Sequence, residues 1–449
     1  MPRNELRTLN LPIADELAKR AGSRPRVRPQ ECAPYAIAGN LPKLVFSPRS
    51  LSEAAKTITT VAAEGASIVI RGSGTKQWRP PHPYEVDVVL DASRCSGVVE
   101  HVPADLTVTV AAGTKFSELQ EALRSCGQFF PNDPPFWSDT TVGGLISAGA
   151  GGALRQRYGT PRDNLLGMRV CLSDGSIAFT GSKVVKSVAG YDIPKLFAGA
   201  WGTLGFIGEL TLKVAPLPRE ERGVVGLFGQ CEAACRAALA LAASPIFPLA
   251  TTLHDRASAH RIRAFGAEVG SPWTLVIRCG GTRTAATRQS DAVAAMLRSC
   301  GASSIEALDA DRLHFAWSDI AELASGSAYP GSQYVCCAIA SLPSQVSVVL
   351  AAVAALFPDV QCTAHPASGV VYAHVPAGPD LLTVGQLEPL HLMCEREQLT
   401  LAYLAAPAPL GVRLRAPVPA HAPLALMRRV KATFDPSGTF DPGRFVAGI

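Results

Sequence analysis

The chain has no Cys-x-x-Cys pair, no long run of Lys or Arg, and no apolar tract long enough to cross a bilayer. Each absence removes a class of protein. Its twelve cysteines are scattered, and the close pairs are only Cys231 with Cys235 and the adjacent Cys336 with Cys337. Iron–sulfur ligation needs clustered thiolates, so no cluster and no metal are expected here. Reduced, mostly buried thiols in a cytoplasmic protein are the expectation instead. A formal net charge of +5 over 449 residues, with dispersed basic residues, excludes nucleic acid as a partner. Near the start, Arg3, Arg7, Arg20 and Arg24 alternate with Glu5, Asp15 and Glu16 without an apolar stretch, so no export signal is expected. The longest apolar tract, Val348 to Phe357, ends at Pro358-Asp359 and reads as a core helix. Neither G-x-G-x-x-G nor G-x-x-x-x-G-K-[ST] occurs, which argues against Rossmann and P-loop nucleotide sites.

What is present suits an α+β protein of two domains, since 47% hydrophobic residues in a chain this long exceed one ordinary core. Ser50 is placed to cap a helix through Ala54, Ala55, Ile58, Val61 and Ala62, which Gly65 ends. Strands are expected at Ser67 to Arg71, Val86 to Leu90, Thr107 to Val110 and Glu209 to Val214, and a second helix is expected to be capped by Ser117. Beyond Pro216-Leu-Pro218 the composition turns to Ala-rich helices such as Ala233 to Ala243, with strands at Trp273 to Ile277 and Gly369 to Val375. That half suits a small antiparallel sheet covered by helices on one face, and no repeat of fixed period is evident. The expected division is an extension over 1–40, a first domain over 41–217 and a second over 218–449. The turn-rich end, Thr433 to Phe445, is expected to be neither helix nor strand and to pack back on a domain.

Three glycine-rich passages carry the chemistry. Arg71-Gly72-Ser73-Gly74-Thr75-Lys76 follows a strand directly; it suits either a tight surface turn or a backbone cradle for a diphosphate, with Ser73 and Thr75 as added donors. Thr141-Val142-Gly143-Gly144 through Ser147 to Gly152 is dense in small residues. It points to a flat or polyanionic ligand lying on the backbone, the alternative being a close helix-to-sheet seam. Gly202-Thr-Leu-Gly205-Phe-Ile207 pairs two glycines with little structural need for both, while Trp201 and Phe206 read as core aromatics.

In this order, Arg71 to Lys76, Thr141 to Gly152, Arg157 to Gly167 and Gly202 to Ile207 resemble the motifs of the vanillyl-alcohol-oxidase, or PCMH-type, flavoproteins over residues 41 to 215. The resemblance implies a two-subdomain PCMH-type FAD-binding domain followed by a C-terminal α+β, ferredoxin-like cap domain whose tail returns to the core. In that family the first turn cradles the FAD pyrophosphate. The D-P-x6-[ST]-[VI]-G-G passage, here Asp133 to Gly144, lines the flavin and diphosphate, and G-T-L-G-x-I meets the adenine half. By resemblance Arg71, Gly72, Ser73, Gly74, Thr75, Lys76, Pro134, Thr141, Val142, Gly143, Gly144, Ser147, Gly202 and Ile207 are cofactor residues. Thr75 stands where covalent members place a histidine, which implies non-covalent FAD.

Within the family, Val185 to Gly205 and the tail Phe440-Asp-Pro-Gly-Arg-Phe445 look most like the FAD-binding subunit of bacterial glycolate oxidase. The resemblance implies flavin-dependent oxidation of a 2-hydroxy acid such as glycolate beside a catalytic FAD-containing subunit and an iron–sulfur subunit. Membrane contact would be at most peripheral, through the complex at the inner membrane. One departure matters. The H-x-G-D-G-N-x-H-like metal and substrate motif of the D-2-hydroxy-acid oxidising relatives is missing, and His365 and His374 do not reproduce its spacing. Arg413 and Arg415, on an alternating Val412 to Arg415 strand, are candidates for a carboxylate, and His391 or His374 for a base, though a solvated strand face explains the arginines equally. No catalytic residue is assigned. A self-sufficient FAD oxidoreductase acting on D-lactate or another alcohol, and a flavin-free structural subunit, are the competing readings.

Overall fold

A computed structural model describes residues 19–21, 24–81, 83, 85–182, 191–265, 271–325, 333–377, 382–418 and 422–449. Arg3, Glu5, Arg7, Asp15 and Glu16, and the Val185 to Gly190 part of the subunit-like passage, lie outside the described residues. Strands β1 (Pro42–Phe46), β2 (Ile68–Arg71) and β3 (Val86–Asp91) form a parallel sheet in the order β1-β3-β2. Helix α1 (Leu51–Ala63) crosses between β1 and β2; Ser50 caps it by accepting from the Glu53 N–H, as the sequence indicates. Its buried stripe, including Ala54, Ile58 and Val61, packs with Phe46, Ile68, Leu90 and Phe206.

A second, antiparallel sheet follows, built from β4 (Val98–Val102), β5 (Thr107–Ala111), β7 (Leu165–Cys171), β8 (Ile177–Gly181) and β9 (Phe206–Lys213) in the order β4-β5-β9-β7-β8. A short pair, β6 (Gln128–Phe129) and β10 (Ala215–Pro216), lies beside it. Helices α2 (Phe116–Arg124) and α3 (Val142–Ala148) cover its inner face through Phe116, Leu119, Leu145 and Ile146. The cap of α2 is Lys115, not Ser117: the Lys115 N–H donates to Glu118, so the cap lies two residues before the expected serine.

From Glu220 onward the described residues build one antiparallel sheet of eight strands. The first half is β11 (Glu220–Phe228), α4 (Cys231–Ala242), β12 (Ala250–Asp255), β13 (Trp273–Gly281), α5 (Arg283–Ser299) and β14 (Ser304–Leu308). After α6 (Ala310–Ser325) come β15 (Tyr334–Ala340), α7 (Val346–Leu356), β16 (Gln361–His365), β17 (Val370–Pro376), α8 (Glu388–Arg396) and β18 (Thr400–Ala405). Each half is a β-α-β-β-α-β unit of ferredoxin-like connectivity. With the sheet order β14-β11-β13-β12-β16-β17-β15-β18, they join edge to edge through β12 and β16. The sheet is therefore twice the small one expected. Helices α4, α5, α7 and α8 cover one face, whereas α6 lies on the other and faces the first domain. Helix α9 (Leu424–Phe434) takes in Thr433 and Phe434, correcting the expectation that the whole tail is irregular. Beyond it the chain returns to the first sheet, where Phe440 bridges Ile68.

The face bearing α6 is where the domains meet. Ala153, Leu154, Phe129 and Tyr158 of the first domain share a core with Val225, Val276, Leu313 and Trp317 of the second. Within it, Trp317 Nε1 donates to the buried Asp133 carboxylate at 3.0 Å. Trp317→Phe keeps the packing and removes that donor, so chemical denaturation should show a loss of about 1.5–3 kcal/mol, the usual worth of a hydrogen bond to a charge. No helix among the described residues is long and apolar enough to cross a membrane.

Candidate flavin site

Strand β2 delivers the chain into the turn Gly72 to Gln77. Gly74 holds φ +81°, and a Cβ on Gly72 would stand 2.2 Å from Thr141 Oγ1, so the turn needs both glycines. Among the described residues nothing accepts a backbone hydrogen bond from the N–H groups of Ser73, Gly74, Thr75 or Lys76. Such a row of open donors is what an anion would satisfy. The turn borders a cleft completed by Thr141, Gly143, Gly144 and Ser147 at α3 and by Gly202, Gly205 and Ile207 at the start of β9.

Three of the expected residues do not line this cleft. Arg71 turns back, its guanidinium 5.1 Å from the Tyr35 ring and donating to Pro34 O, and so supports the turn from behind. Val142 is a core residue, and of the Asp133 to Pro135 run it is Asp133 and Pro135, not Pro134, that face a cavity. Both explanations of the small-residue passage hold in part. A Cβ on Gly143 would meet Ala112 Cβ at 2.7 Å, which makes that glycine part of a packing seam as well as of the cleft wall.

Several cleft residues were not expected. Trp201, read as a core aromatic, is half-buried on the cleft wall with φ +56°, and the Arg79 guanidinium lies 4.3 Å from its ring centroid; Phe206 is core. The returning tail adds Asp441 and Arg444. Arg444 Nη1 donates to Asp441 Oδ2 at 3.0 Å, while Arg79 Nη1 donates to Arg444 O at 2.9 Å. Burial, helped by the nearby Arg444 cation, pulls Arg79 down to about 10. Among the described residues Lys76 donates only to hydroxyls, Thr140 Oγ1 at 3.1 Å and Thr75 Oγ1 at 3.3 Å, and burial of its ammonium pulls it down to about 8. Two guanidiniums, one ammonium and a single carboxylate leave the cleft with surplus positive charge.

Thr75, Lys76, Ala148 and Trp201 also line a second cavity of about 490 Å³, so the two spaces adjoin along these residues. Its walls are Ala148 to Gly152 on one side and, on the other, Ala338 and Ala340 of β15, Val370 and Tyr372 of β17, and Thr400, Ala402 and Leu404 of β18. The volume is that of a small-molecule site. The side built from Ala148 to Gly152 carries almost no side-chain bulk and so leaves room for a planar ring system, and the cationic, donor-rich cleft suits a dinucleotide diphosphate. The residues present therefore fit FAD. Ser73 to Lys76 would hold its diphosphate, with Arg79 and Arg444 in reach of the same charge.

The candidates for substrate chemistry lie elsewhere. His391 sits on α8, across the sheet from this cavity, with Nε2 2.6 Å from Tyr403 Oη. Arg413 and Arg415 are not on a strand: the short helix Ala408–Gly411 precedes them, and Arg415 Nη1 donates to Val412 O. Pro407 starts that helix and overrides the four-residue alternation. His374 and His365 are buried on the side of the sheet that faces the first domain, outside the cavity wall. His365 packs edge-on against the Tyr372 ring at 5.1 Å.

Fold and cleft together define a PCMH-type flavoprotein. Residues 42–181 match the FAD binding domain family, and residues 217–383 with 420–445 match the C-terminal domain of the FAD linked oxidases. The chain belongs to the FAD-linked oxidases, and its cofactor is FAD. It is similar to glycolate oxidase subunit GlcD of Bacillus subtilis, 30% identical over 62% of this chain and 60% of that protein. It also resembles glycolate oxidase subunit GlcE of Escherichia coli, 35% identical over 36% of this chain and 46% of that protein. The chain thus spans about half the length of the curated relatives it matches. Substrate-bound p-cresol methylhydroxylase shares the fold, with a TM-score of 0.75 at 14% identity over 97% of each chain.

Proposed function

We propose that this chain is the FAD-carrying subunit of a flavin-dependent 2-hydroxy-acid dehydrogenase of the glycolate oxidase kind, oxidising glycolate to glyoxylate with partner subunits. FAD is held non-covalently, Thr75 offering a hydroxyl where an attaching side chain would stand. When bound, FAD supplies the two-electron acceptor that oxidation of a CH–OH group needs. The observation behind partner dependence is the make-up of the second cavity. Its described ionisable side chains are Lys76, Asp133, Arg155 and Tyr372. Asp133 is engaged by the N–H groups of Ala153, Leu154 and Trp317, and burial raises Tyr372, which keeps its proton. These side chains offer donors and cations, but the proton of a substrate hydroxyl also needs an acceptor. A catalytic flavoprotein subunit would supply it, and an iron–sulfur subunit would take the electrons onward, with any membrane contact peripheral and made through that complex.

The test is the absorption spectrum of the purified chain before and after anaerobic glycolate or D-lactate. About one extractable FAD per chain is expected, bleached slowly by either acid and rapidly once the partner subunits are added. Rapid bleaching by the chain alone would instead establish a self-sufficient oxidoreductase, a reading favoured by the cation and phenol at the far end of the cavity. A colourless chain that does not take up FAD would defeat both.

A further inference from the structure

One side of the second cavity is built for an anion that the cofactor cleft does not share. Arg155, just beyond the glycine run of α3, donates from Nε to Gly152 O at 3.0 Å and from Nη2 to Gly151 O, which fixes the plane of its guanidinium. The same Nη2 reaches Tyr372 Oη at 3.4 Å across the domain boundary. With its oxygen accepting from Arg155, the phenol has its own proton to give. Neither oxygen of the nearest acid, Asp133, forms an ion pair with Arg155 among the described residues, because both accept N–H groups. Next to Tyr372, both ring nitrogens of His365 are buried without a hydrogen-bond partner among the described residues. Burial, then the Arg155 charge, holds that imidazole neutral, so it adds no second cation and takes no charge from the first.

Lys76 lines both spaces, whereas Arg155 lines only the second. That division separates a cation within reach of the diphosphate from one left for another ligand. We propose that Arg155 and Tyr372 form a carboxylate subsite, holding a 2-hydroxy monocarboxylate or its 2-oxo product by its charged end. With Nε and Nη2 committed to Gly152, Gly151 and Tyr372, the two N–H groups of Arg155 Nη1 are left to donate to a carboxylate, and the phenol adds a third donor. Ala338, Ala340 and Ala402 leave room beside it for the remainder of the acid. The proposal rests on reading this cavity as the substrate site of a 2-hydroxy-acid oxidoreductase.

Oxalate is the probe, because it carries carboxylates but no hydrogen to give up, and its binding is read from the perturbed flavin spectrum of the FAD-loaded chain without turnover. Saturable binding is expected in the unmodified chain, weakened about 10- to 100-fold in Arg155→Met and less in Tyr372→Phe, with Arg155→Lys partly restored. FAD content should stay at the unmodified level in all three, an outcome that a merely structural Arg155 would not give. No oxalate binding in the unmodified chain, or unchanged affinity in Arg155→Met, overturns the proposal. If Arg155→Met does not fold, unchanged affinity in both Arg155→Lys and Tyr372→Phe overturns it instead. Arg155-dependent oxalate binding in a flavin that no 2-hydroxy acid reduces would leave the subsite standing and sink the functional reading alone.

Discussion

Lys76→Met is expected to stabilise the flavin-free protein while costing it the cofactor. The ammonium sits between the two cavities with hydroxyls as its hydrogen-bond partners, and burial brings it from 10.5 to about 8. Below pH 8 the folded chain holds a charged lysine in a poor environment. Between pH 8 and 10.5 the unfolded chain binds a proton that the folded chain does not, so stability rises with pH through that window. Each pKa unit corresponds to about 1.4 kcal/mol, and water in the open cavity lowers the total, giving a penalty of about 2–3 kcal/mol at neutral pH. Methionine removes the penalty with a side chain of similar length. Denaturant midpoints of the flavin-stripped proteins should therefore favour the variant at pH 7, with the advantage shrinking as the pH approaches 10.5. FAD affinity should move the other way, by about 10- to 100-fold, because a charge-assisted contact to an anion is lost. Equal midpoints at pH 7, or undiminished FAD affinity, would sink this account of why an ammonium is kept there.

The turn that carries Lys76 was legible because its requirements are local. A strand running into Gly72 and Gly74 announces a positive φ and a bare Cα within three residues, and both are observed. The Ser50 cap was legible for the same reason. What escaped depends on contacts far apart in sequence. Arg444 hydrogen-bonds Arg79 across 365 residues, and nothing near either arginine marks them as neighbours in a cleft. Trp201 escaped because a tryptophan beside Ala200 looks like core until Arg79 is found stacked on it. The doubled ferredoxin-like unit left no period to detect, since different loops and helix lengths separate corresponding strands in the two halves. Arg413, Arg415 and His391 show the opposite failure. Four alternating residues are too few to define a strand after Pro407, and a histidine on a helix can face either side of a sheet.

Lys431→Met tests the tail that brings Arg444 to the cleft, and the expected loss of stability is large. The Lys431 ammonium donates to Thr203 O at 2.6 Å, Phe440 O at 2.8 Å and Asp435 Oδ2 at 2.5 Å. The Asp435 carboxylate is wholly buried and accepts the N–H groups of Thr439 and Phe440, shaping the turn that sends the chain to β2. There Ile68 N donates to Thr439 O and Asp441 N donates to Ile68 O, while Phe440 enters the core of the first sheet. Removing the cation leaves a buried carboxylate uncompensated, which costs about 3–5 kcal/mol. Asp435→Asn in the same chain removes the stranded charge and should recover part of the loss. Recovery should be incomplete, because an amide has one oxygen where the carboxylate uses two to meet the N–H groups. Since the same tail sets Asp441 and Arg444 against Arg79, FAD retention through gel filtration should fall in the single variant and rise again in the double. A guanidinium chloride midpoint left unchanged by Lys431→Met would show that the tail is held by the packing of Phe440 and its backbone bridge to Ile68, and the cleft would then owe its last wall to these instead of to charge.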